Sequence, residues 1–408
     1  MEHSPGLRFD EVPETRIDQA LDVAYLAFHE KKEDARHKHH RDLLLGCERV
    51  GAYDGNAVAG LAAAFPFTLS VPGGDLPCAG VSFVCVAPTH RRRGALSGML
   101  GELHRRSAEA GRAIAALWAS EDAIYGRFGY GTATRAASVE IDARNPLRLR
   151  IDPDEGPLRL VDPAEAPALI GPYYERTRAA RPGRIVRTEA WWREEWLPEK
   201  DEDDEAAGPP RVAVLGEPVA GYAIYRVKSR GEGLRPEVRL DDLEADTPAG
   251  AAALWRYLAS IDLTDKVRAW NRPADDPLRL FAADGDQVKT TADSPALKLR
   301  LIDAGAALRA RSWAAPVDLV LEVRDEHLPG NAGRHRLTAS PEGCSYRPDG
   351  AAADLALDVR DLASCYLGGT RVADLVRAGL VDERTPAAAA ALDAALRTEL
   401  LPHTSDEF

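Results

Sequence analysis

Residues 84–100 read VCVAPTHRRRGALSGML, and this stretch decides how the chain is organised. A Val-rich run, Val81–Val86, ends at Ala87-Pro88, and three arginines follow. From Gly94 onward Leu96, Met99, Leu100 and Leu103 fall on one helical face. The text is strand, turn, helix. Where a chain leaves a strand and starts a helix, unbonded backbone N–H groups point outward at the positive end of the helix dipole, which is a ready anion site. Gly94 lets a diphosphate approach the backbone, and Arg91 and Arg92 add charge-assisted hydrogen bonds. Three readings stand: a diphosphate cradle, a solvated basic turn without a ligand, and a nucleic-acid patch. Aromatic interleaving is absent, which counts against the last.

The 408-residue chain around this turn is acidic, with a formal net charge of -13. A negative field repels nucleic acid and anionic lipid and draws in cations, so a basic amine fits the charge better than DNA does. The start, MEHSPGLRFDEVPE, has no apolar run after a basic segment, which predicts no secretory leader. No window approaches ~18 uninterrupted apolar residues, so no membrane span is expected. Five cysteines (Cys47, Cys78, Cys85, Cys344 and Cys365) lack any CxxC spacing. They read as reduced, buried thiols of a cytoplasmic protein. His37, His39 and His40 lie in the charged run HEKKEDARHKHHRDLL. Without Cys or carboxylate spacing they read as a solvated helix face, and no metal site is expected.

At about 150 residues per domain, two or three domains are expected. IDQALDVAYLAF is helical, and ERVGAYDGNAVAGLAAAFPF is a hairpin turning at Asp54-Gly55-Asn56. RAIAALWAS is a buried strand, EDAIYGRFGYG a short helix or turn, and TRAASVEID a strand that closes the first unit. The result is a mixed sheet with helices on its faces. After the Pro/Asp-rich joint NPLRLRIDPDEGP the order repeats at a period of about 150 residues. PAEAPALIGPYYERTRAA and TEAWWREEWL are helical, RVAVLGEPVAGYAIYRV is a hairpin, and RPEVRLDDLEAD, PAGAAALWRYLASI and KVRAW read strand, helix, strand. From about Leu301 a third, α+β unit alternates in VDLVLEVRD and ADLALDVRDLAS and closes with helical RVADLVRAGL and PAAAAALDAALRTEL. The last residues, PHTSDEF, have no periodicity and read by themselves as a frayed end.

VCVAPTHRRRGAL resembles the acyl-coenzyme A loop of GNAT-type N-acetyltransferases, patterned R/Q-x-x-G-x-G/A. Arg91 to Gly94 match, and Leu96 stands where the pattern has a small residue. VAPTHRRRG, ELHRR, IYGRFGYG, CYLGG and the terminal Glu407-Phe408 together resemble the Eis (enhanced intracellular survival) proteins of actinobacteria. The resemblance implies two tandem GNAT domains, the second degenerate, followed by a sterol-carrier-protein-like α+β domain. The limits expected are 1–145, 146–300 and 301–408, the last with a tail that reaches the active site. The second unit carries ADTPAGAAAL where the loop should be, with no arginine, so one diphosphate site per chain is expected.

The activity implied is acetyl transfer from acetyl-coenzyme A to primary amines of cationic acceptors, aminoglycoside-like or lysine-like, by a homo-hexamer. Val84, Val86, Arg91, Arg92, Gly94, Ala95 and Ser120 are implied cofactor contacts, with the Val86 N–H as oxyanion donor. Tyr125 occupies the position of the general acid. Its phenol, of pKa about 10, protonates a thiolate of somewhat lower pKa, a step that is uphill unless the phenol is depressed. The implied base is the chain's own C-terminal carboxylate, at Phe408, and burying that ring would anchor the tail by roughly 2 kcal/mol. Phe28 and Phe83 are expected to wall the acceptor cleft and Glu407 to bind ammonium groups. Arg127 is expected to support Tyr125, and Tyr130 to be structural. The alternative is an apolar-ligand-binding protein that uses the sterol-carrier-like domain with the GNAT halves as scaffold. Against it, that domain has few large apolar residues to line a tunnel.

Overall fold

The computed structural model describes residues 6–201 and 204–408. β1 (Arg8–Glu11), β2 (Glu48–Asp54), β3 (Ala57–Val71) and β4 (Gly74–Val86) form an antiparallel run. Gly55, in the expected turn between β2 and β3, takes φ +59, a conformation glycine adopts without penalty. β3 and β4 are longer than the sequence suggests, because Pro66 and Pro77 interrupt the strand reading. Pro66 lies past Ala64, where pairing with β2 ends, and Pro77 precedes Cys78, where pairing with β5 (Ile114–Leu117) begins. Each sits where its strand has a single neighbour, the position a sheet tolerates for proline. Helices α1 (Ile17–Phe28) and α2 (Asp34–Leu45) precede the hairpin. α3 (Ala95–Glu109) crosses from β4 to the parallel β5 and buries Ala95, Met99, Leu100 and Leu103. α4 (Asp122–Tyr125) and β6 (Gly131–Thr132) follow.

The strand expected to close the first unit, β7 (Arg135–Asp142), joins a different sheet. Its neighbours are β12 (Lys266–Pro273) and β13 (Val288–Pro295). With β8 (Leu158–Val161), β9 (Arg211–Leu215), β10 (Gly221–Lys228) and β11 (Glu237–Ala245) they make a seven-stranded sheet ordered β13-β7-β12-β11-β10-β9-β8. The vacancy in the first sheet is filled by β14 (Lys298–Leu301), which runs antiparallel between β5 and β6. One compact unit therefore comprises residues up to Ala133 with Leu297–Thr398 and Glu407–Phe408, and the other Thr134–Ala296 with Glu399–Asp406. The limits read from the sequence, 145/146 and 300/301, differ from this division. Alternation in TRAASVEID specifies a strand with a buried face but not the sheet that receives it.

The third sheet is ordered β17-β16-β15-β18-β19, from β15 (Val317–Arg324), β16 (Gly333–Ser340), β17 (Gly343–Pro348), β18 (Leu355–Asp358) and β19 (Asp382–Glu383). ADLALDVRDLAS, expected to alternate throughout, is strand only as far as Asp358. The Asp358 carboxylate accepts from Arg360 N and caps a helix over Val359–Tyr366, which an N-cap aspartate does well. No helix is long and apolar enough to cross a membrane among the described residues.

β14 is held by charge as well as by its ladder. The Arg300 side chain is fully buried, and its Nη2 donates to both carboxylate oxygens of Asp325 at 2.7 Å. Asn331 Nδ2 also donates to Asp325, at 3.0 Å. Gly129 leaves room for the guanidinium, since a Cβ there would lie 2.7 Å from Arg300 Nη1. Removing one member of such a pair strands the other in a low-dielectric interior. Asp325→Ala should therefore lower unfolding stability by about 3–5 kcal/mol, whereas an apolar Arg300→Met/Asp325→Leu pair recovers most of it. Urea titration of the three proteins measures both outcomes.

Candidate active site

The site begins where two parallel strands part. β4 and β5 pair only through Cys78↔Ile114, Ala79↔Ala115 and Gly80↔Ala116. On its other side β4 stays paired with β3 as far as Val86. From Val81 to Val86 one edge of β4 therefore has no strand beside it among the described residues. Within this segment the ladder slips: Leu61 faces Cys85 and Ala63 faces Ser82, so Phe83 and Val84 together oppose Ala62. This is a β-bulge, which bends and twists its strand. Phe83 has φ +52, a strained conformation for an aromatic residue that costs of order 1–3 kcal/mol. Val84 and Val86 are half-buried and pack against the core cluster that contains Ala95, Met99, Leu100 and Tyr125.

Beyond Val86 the chain makes a short turn over Pro88–His90 and reaches the arginines. Asp54 accepts from His90 Nε2 and from Arg93 Nη1, both at 3.1 Å. Those two bonds hold its carboxyl below the usual range. Arg93 is thus occupied. Arg91 and Arg92 are exposed, and neither has an ion-pair partner among the described residues. Gly94, at φ +82, is the N-cap of α3, with no side chain capping the helix. A Cβ at Gly94 would meet nothing within 4 Å. A 15-residue helix thus presents the open N–H groups of its first turn, from Ala95 onward, next to two unengaged guanidinium groups. This donor set fits a diphosphate. Leu96, the departure from the loop pattern, packs against the core.

Tyr125 ends α4 and is buried against the same core. Burial, followed by the nearby Glu121 carboxylate and Cys85, pushes its phenol up to about 12. That is opposite to the depression that would ease proton donation. The phenol accordingly stays protonated at neutral pH, and burial raises a neighbouring thiol in the same direction. Tyr130 is fully buried, its hydroxyl 3.0 Å from His104 Nε2. Its ring meets Tyr125 edge-on at 6.0 Å. The Arg127 guanidinium lies over the Phe128 ring, and its carbonyl faces His327, so its described contacts are with Phe128 and His327 rather than Tyr125. Ser120 is exposed just past β5.

The tail ends at the parting of the strands. The Phe408 ring meets Phe67 edge-on at 4.8 Å, and Phe67 stacks on Phe65 at 5.1 Å. Gly80, the last residue of β4 paired with β5, makes room for them. A Cβ there would fall 2.2 Å from the Phe67 ring and 3.3 Å from that of Phe408. Phe65, Phe67 and Gly80 were not anticipated; the only signal was aromatic residues two apart on one strand face. Phe83 meets His40 edge-on at 5.4 Å, and His40 stacks on Tyr25, whose hydroxyl lies 3.2 Å from His40 Nδ1. His37, His39 and His40 are half-buried, so the expected solvated face is instead a packed aromatic patch beside the bulge. Phe28 is 42% exposed at the end of α1, and Glu407 is exposed.

The second unit repeats the strand–turn–helix but closes its helix end. Thr247 Oγ1 accepts from Gly250 N at 3.0 Å, and Pro248 opens the helix Pro248–Leu258. A helix end capped by its own threonine, with no arginine in the turn and with the nearby Arg176 paired to Asp246 at 3.4 Å, offers little to a diphosphate.

Residues 8–133 and residues 183–301 each match an acetyltransferase (GNAT) domain family, and residues 304–405 match a sterol carrier protein domain family. A protein described as an uncharacterized N-acetyltransferase of Streptomyces avermitilis is 40% identical over 368 residues, covering 88% of this chain and 89% of the relative. N-acetyltransferase Eis of Mycobacterium tuberculosis is 38% identical over 369 residues, 88% of each chain. The crystal structure of Eis1 from Mycobacterium abscessus superimposes with a TM-score of 0.86 at 32% identity, covering 98% of this chain and 100% of that one.

Proposed function

Because the chain belongs to the Eis family of GNAT N-acetyltransferases, we propose that it moves an acetyl group from acetyl-coenzyme A to a primary amine of a small cationic acceptor, aminoglycoside-like or lysine-like. The observation that carries this reading is the opening between β4 and β5. Uncapped helix N–H groups with free Arg91 and Arg92 border it, Tyr125 packs in the same core, and Phe408 rests at Gly80. The net charge of -13 and the exposed Glu407 favour a cationic acceptor. Family membership supports a homo-hexamer in the cytoplasm as part of the same reading.

In this reading Arg91, Arg92 and the N–H groups around Gly94 and Ala95 hold the diphosphate. The unpaired edge of β4 at Val84 and Val86 lies along the acyl arm, Ser120 contacts the cofactor, and the Val86 N–H stabilises the oxyanion. The Phe408 α-carboxylate takes the amine proton, directly or through water. As the C–N bond forms and the C–S bond breaks, Tyr125 gives its phenolic proton to the leaving thiolate. Solvent then reprotonates the phenolate and deprotonates the carboxyl group. Phe83 and Phe28 wall the acceptor side.

Thiol release from acetyl-coenzyme A against polyamines and aminoglycosides tests the acceptor class; a protein active only on uncharged amines overturns it. Tyr125→Phe should lower kcat by ~10²-fold or more with cofactor binding retained, and full turnover removes Tyr125 as the acid. A short extension after Phe408 should abolish turnover, since the carboxylate is then an amide; an active extended enzyme places the base elsewhere. Arg91→Ala/Arg92→Ala should raise KM for acetyl-coenzyme A several-fold, by about 1 kcal/mol of lost charge-assisted bonding. Steady-state kinetics reads the change, and an unaltered KM leaves the turn without a ligand.

A further inference from the structure

The second unit has its own parting of strands, and it is filled. β11 and β12 pair in parallel at Val238↔Val267, Arg239↔Arg268 and Leu240↔Ala269, and then separate. β11 is bulged at that point: Tyr225 of β10 faces Leu240 and Ile224 faces Asp242, so Asp241 is extra. These features match those of β4 and β5 in the first unit, but residues 403–406 of the same chain bond to both separated strands. On β12, the Asn271 carbonyl accepts from His403 Nε2 at 2.8 Å, and Asn271 Nδ2 donates to the Thr404 carbonyl at 3.0 Å. On β11, Asp242 Oδ1 accepts from Ser405 Oγ at 3.1 Å.

Asp406 completes the lock. Arg187 Nε donates to its two carboxylate oxygens at 2.9 and 3.1 Å. The indole N–H groups of Trp191 and Trp196 donate to Oδ1 at 3.0 and 2.9 Å. Arg187 lies over the rings of Trp196, Tyr174 and Trp192 at 4.0, 4.1 and 4.5 Å. Its Nη1 donates to Asp242 at 2.9 Å. The side chains of Arg187 and Asp406 are 0% exposed. An ion pair this deeply buried adds little stability over an apolar isostere, and its best-attested use is to specify one arrangement. Here one partner is the third residue from the chain's end.

We infer that the second GNAT-like domain is a receptacle for the chain's own tail, with Arg187 and Asp406 as positioning residues that fix where Glu407 and Phe408 lie. The catalytic consequence rests on the reading of Phe408 as the base; the receptacle itself does not. Consecutive Cα atoms are about 3.8 Å apart, so the Phe408 Cα stays within about 7.6 Å of that of Asp406. Locking Asp406 therefore confines the terminal carboxylate to a small volume. The domain retains the parted strands of an acetyltransferase half while its helix end is capped, and its gap binds peptide.

The test uses the full-length protein. In Asp406→Ala, amide exchange across residues 403–408, read by mass spectrometry, should accelerate by about 10²-fold or more. At the same time kcat should fall by about 10²-fold while KM for acetyl-coenzyme A stays within about two-fold. Asp406→Asn keeps an acceptor for both indoles and should recover part of each change. If Asp406→Ala does not fold, Ser405→Ala is read in the same way, with smaller shifts expected. Unchanged exchange in the folded variants overturns the receptacle. Accelerated exchange with an unchanged kcat overturns the positioning role. If the chain extended past Phe408 remains active, the base assignment fails while the exchange measurement still decides the receptacle.

Discussion

A parallel ladder that stops after Gly80↔Ala116 is the constraint on which the rest of the site depends. Backbone groups that leave a ladder must find other partners, and a strand edge left open inside a sheet is a binding edge. The bulge at Phe83-Val84 turns that edge out of the regular pleat. The helix that follows starts at an uncapped glycine. Had β4 and β5 stayed paired to their ends, there would be no gap between them at Val81–Val86.

What fixes the segment that bears Tyr125 comes largely from far along the chain. β14 lies against the outer side of β5 and carries two buried cations. Lys298 reaches Asp122 in the first turn of α4 at 2.5 Å, and Arg300 lies beneath Gly129. The short segment that bears Tyr125 is thus fixed at both ends by a strand more than 160 residues away in sequence. Neither contact touches the phenol, yet both determine where it stands.

Local features of the site were legible in the sequence and distant ones were not. The strand, turn and helix around Gly94 follow from neighbouring residues, and so do the Asp54-Gly55-Asn56 hairpin and the missing arginine in ADTPAGAAAL. The exchange of β7 and β14 left no trace, because an alternating strand has the same pattern in either sheet. His40 packs on Phe83 although the run in which it lies, HEKKEDARHKHHRD, is largely charged. PHTSDEF looked frayed because burial of Asp406 by Arg187 and two indoles depends on residues some 200 positions earlier. The rise of the Tyr125 phenol likewise follows from burial, which spacing does not report.

The placement of β14 also sets an order of assembly during synthesis. A ribosome that has released residues as far as Ala133 has already made the arginine turn, the bulge and Tyr125. The first sheet nevertheless lacks the strand that joins β5 to β6 until Leu301 emerges. The nascent chain therefore carries an incomplete sheet with open edges while the entire second unit is being made, and must avoid pairing them with the wrong strand. Reading the motif residues from the gene takes a third of the chain; completing the sheet that carries them takes nearly three quarters.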